Sequence, residues 1–266
     1  MNFRSEQVKT SQHRERVLTE YILSIKQISE VRSVILTGGS GRGDGDSFSD
    51  IDIVVVVSTI PQGLAEGKFR RDGELFDVRI ALEQELLSSV WSQDMYYAYL
   101  NGKVAHDSSD FMASLIEAKR IEWRNSVPDQ VIMDFVQLSV LLEIADNWKG
   151  LQAQTHLEKF KKRQDFVSAH RCLSLALEIL IDLHFLIEKE VPPDSKNKFR
   201  ILLHRDDLHP SHLELCRDAL LVKGLTLEEI NRRESILIEL FKFMRERIAD
   251  WDTPDNFYSY YLANRA

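Results

Sequence analysis

The sequence predicts an α+β protein. An N-terminal α/β domain built on a mixed sheet spans residues 1–125, and a C-terminal all-helical domain spans residues 126–266. Three observations predict it. The first half alternates helical and strand-like apolar patterns. Within it, Ile51–Val57 holds four consecutive valines, which suit a pleated strand covered on both faces. After about Asp110 only helical periodicity remains, a change of character that separates an α/β unit from a helical one. At 266 residues, 44% apolar and 29% charged, the chain is long enough and apolar enough to bury one large core or two modest ones.

Each element has its own signal. Over residues 14–28, Val17, Tyr21, Ile22, Ile25 and Ile28 fall at helical spacing. Residues 31–37 are dense in Val, Ile and Leu and read as a strand that stops at Gly38-Gly39-Ser40. The Gly, Asp and Ser of residues 38–49 predict a turn-rich loop, with Asp44 and Asp46 as turn formers. After the strand Ile51–Val57 and a loop containing Gly63, Gly67 and Gly73, Glu74–Leu82 reads as a third strand. Residues 83–100 predict one helix and residues 103–106 a short strand. Helices are then expected over 111–125, 129–149 and 155–190, the last ended by Pro192-Pro193 because proline cannot continue the hydrogen-bond ladder. Two more follow over 213–221 and 226–248, where Thr226 and Glu229 have the spacing of a capping box.

Charge and composition narrow the function. A formal charge of −8 argues against a protein that grips long nucleic acid, which wants a basic face. It is compatible with a small nucleotide, whose charge is met by metal ions and a few local cations. The apolar runs are too short and too interrupted to cross a bilayer, and the polar first residues have no signal core. A soluble, cytoplasmic protein is expected. Cys172 and Cys216 lie among apolar helical residues without metal-ligand spacing, and read as buried free thiols. His184 reads as a satisfied core histidine. His204, His209 and His212 read as loop residues without a metal, and residues 159–163 as an exposed, charged helix face.

The chemistry concentrates in Gly38-Gly39-Ser40 and, after nine intervening residues, Asp50-Ile51-Asp52. Alternation along a strand puts Asp50 and Asp52 on one face and Ile51 and Ile53 on the other. Two carboxylates side by side repel each other, and burial sharpens the repulsion. A divalent cation between them turns repulsion into coordination, and oxygen ligands of this kind suit Mg²⁺ or Mn²⁺. Asp77, between the core candidates Phe76 and Val78, adds a third carboxylate if its strand pairs beside that of Asp50. Three such acids can hold two metals, one activating an attacking hydroxyl and the other holding a triphosphate in line. The glycines let backbone approach phosphate, and Ser40 can donate to its oxygens.

At these residues the chain resembles the nucleotidyltransferase superfamily that includes DNA polymerase beta, and in particular its small bacterial members. Gly39-Ser40, Asp50-Ile51-Asp52 and Phe76-Asp77-Val78 match the family's Gly-(Gly/Ser), Asp-x-(Asp/Glu) and third-acid strand in order. The resemblance covers about residues 31–82. It implies that Gly39 and Ser40 bind nucleotide phosphate, that Asp50, Asp52 and Asp77 are catalytic and bind metal, and that Arg42, in Gly41-Arg42-Gly43, assists the nucleotide. The helical half looks like that of aminoglycoside and lincosamide nucleotidyltransferases, where it completes the acceptor and nucleotide cleft. Residues 192–198 look like a Pro-Pro-x-x-Lys loop, and Lys198, with Lys196 and Arg200, reads either as a nucleotide contact from the helical half or as part of a solvated charge cluster after a helix end. The implied reaction moves a nucleoside monophosphate, AMP from ATP, onto a hydroxyl of a small-molecule acceptor such as an antibiotic. Asp77 is the first candidate for general base, with Glu143 and Glu178 as alternatives. Two other readings stand beside it: a transferase that adenylylates a protein, and a degenerate domain that only binds nucleotide or a partner.

Overall fold

In the computed structural model, residues 3–43, 45, 49–142, 155–249 and 251 are described, with side chains from residue 12 onward. Strands β1 (Val31–Leu36), β2 (Ile51–Val57), β3 (Gly67–Arg71), β4 (Glu74–Leu82) and β5 (Lys103–Asp107) pair into one sheet in the order β3-β4-β2-β1-β5. The β2–β4 pair is parallel and the other three are antiparallel, so the sheet is mixed. The parallel pair is joined through the edge strand β3, whose hairpin with β4 returns the chain to the middle of the sheet.

Apolar alternation fixes which face is covered. Helix α1 (Phe3–Ile25) sends Val17, Tyr21 and Ile25 into a core with Ile51, Ile53, Val55, Val57, Phe76 and Val78. Tyr21, Phe69 and Phe76 form an aromatic group whose Phe69 and Phe76 rings stack at 5.5 Å. The odd-numbered residues of β2 thus face α1, which leaves Asp52 on the opposite face.

Helices α2 (Gly38–Arg42), α3 (Glu83–Ser88), α4 (Gln93–Leu100) and α5 (Phe111–Leu141) surround and follow these strands. They are followed by α6 (His156–Lys162), α7 (Phe166–Ile187), α8 (Lys198–Leu203), α9 (Pro210–Leu220) and α10 (Leu227–Arg247). The chain divides into two compact units, Met1–Trp123 and Arg124–Ala266, with the division inside α5. In the second unit α7 is buried along most of its length and packs against α6, α9 and α10. A fully buried Arg233 sits there, donating to the carbonyl of Ala219, to His170 Nδ1 and to Ser174 Oγ. Because His170 Nδ1 accepts, its Nε2–H donates to the Gly224 carbonyl at 3.0 Å, which fixes the tautomer. No helix among the described residues is long and apolar enough to cross a membrane.

The α+β class and the strands at 31–36, 51–57, 74–82 and 103–107 agree with the sequence reading, and several local expectations need correction. The expected loop at 38–49 opens with the short helix α2, closed by Gly43 in the left-handed region at φ 81°. Strand β3 was not foreseen. The expected helix at 83–100 is two, because the indole of Trp91 is buried at the break and donates to the Leu86 carbonyl, while Ser92 caps α4. The expected helices at 111–125 and 129–149 are one helix as far as Leu141, running through Pro128 with Val127 and Val131 buried beside it. Residues 143–154 lie outside the described residues. The expected helix at 155–190 breaks at Gln164, whose φ of 55° is left-handed, and restarts where Asp165 caps Ser168 N. At α10, Thr226 accepts from Glu229 N at 3.2 Å as its spacing predicts, but the Glu229 carboxylate turns to Lys223 N and Arg232.

Candidate active site

The acidic face is a direct product of strand register. Asp52 and Asp77 are Cα partners in the parallel β2–β4 ladder, so they stand side by side. Asp52 is the only residue of β2 that is not buried, and Asp77 lies between the fully buried Phe76 and Val78. Asp50 precedes the strand by one residue. Carboxylate oxygens of Asp50, Asp52 and Asp77 all lie within 4.8 Å of one another, and all three residues are partly exposed. The structure therefore brings the three predicted acids together on the sheet face opposite α1.

A cation already lies among them. Lys68 on β3 is the Cα partner of Asp77, which extends the row Asp52–Asp77–Lys68 across three strands. Its ammonium is 2.7 Å from Asp50 Oδ2 and 3.4 Å from Asp77 Oδ2. Hydrogen bonding to Asp50, then that carboxylate's charge, then the bond to Asp77, raise the pKa of Lys68 above its ordinary value. The ammonium occupies a position where a metal ion would answer the same charges. Three hard oxygen donors with a positive group lodged between two of them fit a divalent cation such as Mg²⁺ or Mn²⁺. Lys68 is a site residue that the sequence reading missed, because β3 itself was not recognised.

The glycine-rich turn is fitted against the same acids. Thr37 N donates to the Asp52 carbonyl at 3.0 Å, which seats α2 on the strand. Gly38 has a φ of 55°, and a Cβ there would stand 2.0 Å from Asp52 Oδ2, so any side chain would drive the carboxylate out of place. The Gly39 carbonyl accepts from Gly43 N and Gly45 N, both at 3.0 Å, and folds the turn back on itself. Ser40 stands next, its Oγ 3.4 Å from Arg14 Nη2. Arg42 ends α2 with its guanidinium carbon 5.6 Å from the centre of the Tyr97 ring.

The remaining candidates fall in the second unit. Lys198 is buried and bonds both oxygens of Asp182, at 2.7 and 2.8 Å. Burial is the main influence on Asp182 and raises its pKa, which the Lys198 contacts partly offset. Asp134, held by Gln130 Nε2 at 2.9 Å, is pushed up to about 7 by burial. Glu178 lies one helical turn before Asp182, and Glu143 lies outside the described residues. His184 lies in the core as expected but is not fully satisfied, since its buried Nδ1 has no hydrogen-bond partner, and His212 is not a loop residue: it is buried on α9 one turn before Cys216. The two imidazoles meet at 2.8 Å between Nε2 atoms, and burial lowers both, to about 2 for His184 and about 4 for His212, so the pair is neutral and shares one proton. Both cysteines are buried and free, and burial pushes Cys172 to about 11 and Cys216 to about 12.

With this geometry in place, known proteins can be set beside it. Residues 18–90 match the family model of the nucleotidyltransferase domain, a span that holds the glycine turn, all three acids and Lys68. No curated protein matches the sequence. Among solved structures, the chain is similar to a nucleotidyltransferase-like protein from Exiguobacterium sibiricum, at 12% identity, with 88% of this chain and 75% of that one covered and a TM-score of 0.45. It is also similar to spectinomycin adenyltransferase AAD(9) from Enterococcus faecialis, at 13% identity, with 90% and 99% covered and a TM-score of 0.30.

Proposed function

We propose that the protein transfers a nucleoside monophosphate, AMP from ATP, to a hydroxyl of a small molecule and releases pyrophosphate. The observation that carries this reading is the in-register pair Asp52–Asp77, completed by Asp50 within one cluster. In the proposed reaction Asp50, Asp52 and Asp77 hold Mg²⁺ or Mn²⁺, Gly39 and Ser40 hold phosphate, and Arg42 assists. When bound, the divalent ions supply charge neutralisation at the triphosphate and acidify the attacking hydroxyl. Ser40 Oγ–H donates to a phosphate oxygen, and backbone N–H groups at the start of α2, the ones a helix leaves without acceptors of its own, do the same. Asp77 accepts the acceptor's proton when the hydroxyl lies within hydrogen-bond reach.

We assign the transfer chemistry to residues 1–125 and acceptor recognition to residues 126–266. An aminoglycoside- or lincosamide-like acceptor is the first choice, on the resemblance of the helical half and on an acidic balance that favours a cationic molecule over long nucleic acid. Lys198 enters this assignment as the support of Asp182 in the helical half, a role that suits its buried ion pair better than contact with a triphosphate.

The test is incubation with Mg²⁺, ATP labelled at the α-phosphate and a panel of hydroxylated aminoglycosides and lincosamides. Label on a small molecule with stoichiometric pyrophosphate is the expected result. Label on protein selects adenylylation of a protein instead, and ATP binding without pyrophosphate selects a binding domain. Asp52→Asn is expected to lower transfer by about a thousandfold or more while its melting temperature stays at the wild-type value. Undiminished transfer in that variant would remove Asp52 from the site.

A further inference from the structure

We propose that Arg14 is a positioning residue of this site: its guanidinium fixes Ser40 and Asp50 in the arrangement from which phosphate and metal are held. The proposal rests on the functional reading above and adds to it a residue outside the glycine turn and the acid strands.

Arg14 reaches the site from α1, where Val17, Tyr21 and Ile25 anchor the helix in the sheet core. Its Nη1 donates to the Ser49 carbonyl at 2.8 Å and to Glu74 Oε2 at 3.2 Å. Its Nη2 donates to the Asp50 carbonyl at 2.9 Å and to Ser40 Oγ at 3.4 Å. One planar group thus joins the glycine turn, the entrance to β2 and the start of β4, which are the three segments that bear Ser40, Asp50 and Asp77. Arg14 and Glu74 are each 15% exposed, so their pair is shielded from solvent far more than a surface contact.

Two consequences follow from donor chemistry. Consecutive carbonyls of a regular strand point to opposite sides. Those of Ser49 and Asp50 both meet one guanidinium, just ahead of the ladder that begins at Ile51, so Arg14 holds the bend by which Asp50 enters the cluster. At Ser40 the guanidinium can only donate, so it takes a lone pair of the hydroxyl and leaves the O–H free in direction to serve a phosphate oxygen. A lysine in the same place carries the charge but lacks the planar fork, and cannot serve two carbonyls, a carboxylate and a hydroxyl together.

The test compares Arg14→Ala and Arg14→Lys with Val17→Ala, which loosens the packing of α1 without touching Ser40 or Asp50. Mn²⁺ binding is read by electron paramagnetic resonance, ATP binding by calorimetry, and folding by thermal melting, all on the full chain. Both Arg14 variants are expected to bind Mn²⁺ and ATP about tenfold or more weakly, while Val17→Ala loses melting temperature and keeps both affinities. If Arg14→Ala fails to fold, Arg14→Lys, which retains the charge opposite Glu74, decides alone. Wild-type affinities in the Arg14 variants, or equal losses in Val17→Ala, overturn the proposal and leave Arg14 as a clamp for α1. A wild-type protein that binds neither Mn²⁺ nor ATP overturns the functional reading, and this proposal with it.

Discussion

Of the lysines that meet carboxylates among the described residues, Lys68 and Lys198 have opposite surroundings. Lys68 bridges Asp50 and Asp77 from an edge strand with its side chain 60% exposed. Lys198 bonds Asp182 from the start of α8 with its side chain 7% exposed. The acids hardly differ, since Asp77 and Asp182 are both 23% exposed. What differs is how easily water, or another cation, can replace the ammonium. Around Lys68 the solvent stands ready, so the contact is exchangeable and the acids remain available. Around Lys198 the loss of the ammonium would strand a largely buried charge beside Asp134, which makes this pair part of the framework.

Three experiments can break or sharpen that contrast. The largest effect is expected from Lys198→Met, which should cost about 3 kcal/mol in urea-induced unfolding because Asp182 is left without its partner. Adding Asp182→Asn should recover much of that loss, and a cost below about 1 kcal/mol for the single change would make the two lysines equivalent. The second concerns Asp134, whose carboxyl burial lifts from the ordinary 3.8 to about 7. Between those values the native state keeps a proton that the unfolded chain has lost, so this group makes stability fall as pH rises through the window and level off above it. The difference in stability between Asp134→Asn and wild type, measured from pH 4 to 8, should therefore swing in favour of the variant as pH rises, and a difference that stays flat would contradict it. The smallest effect belongs to Lys68→Ala. Its unfolding midpoint should equal that of wild type, while Mn²⁺ binds more tightly once the internal cation is gone. Weaker Mn²⁺ binding would mean that Lys68 helps to hold the loaded site.

The same contrast explains what the sequence could and could not reveal. The acid strands were legible because aspartates interrupt runs of Ile, Val and Phe, at a spacing of two in the first strand, a pattern that core packing alone does not call for. The α+β class was legible because periodicity changes once and does not change back. Lys68 was hidden because Lys68-Phe69-Arg70-Arg71 has only one apolar residue in a five-residue edge strand, too little for alternation to register. The helix breaks at Gln164 and near Trp91 depend on one left-handed residue and one buried indole, and hydrophobic periodicity averages over both. Pro128 misled in the other direction, since it is accommodated inside α5. Arg14 sat on a helix that reads simply as amphipathic, and its role emerges only when segments 26, 36 and 60 residues away converge on it.

The parallel register of β2 and β4 has one more consequence. Sliding β4 by a single residue would bring Phe76 or Val78 opposite Asp52 and bury Asp77 under α1. Such a chain would lose both its oily interior and its chemistry in one stroke. Correct pairing is thus proofread by the core itself, and a molecule of this protein that has folded at all carries its acids in the right row.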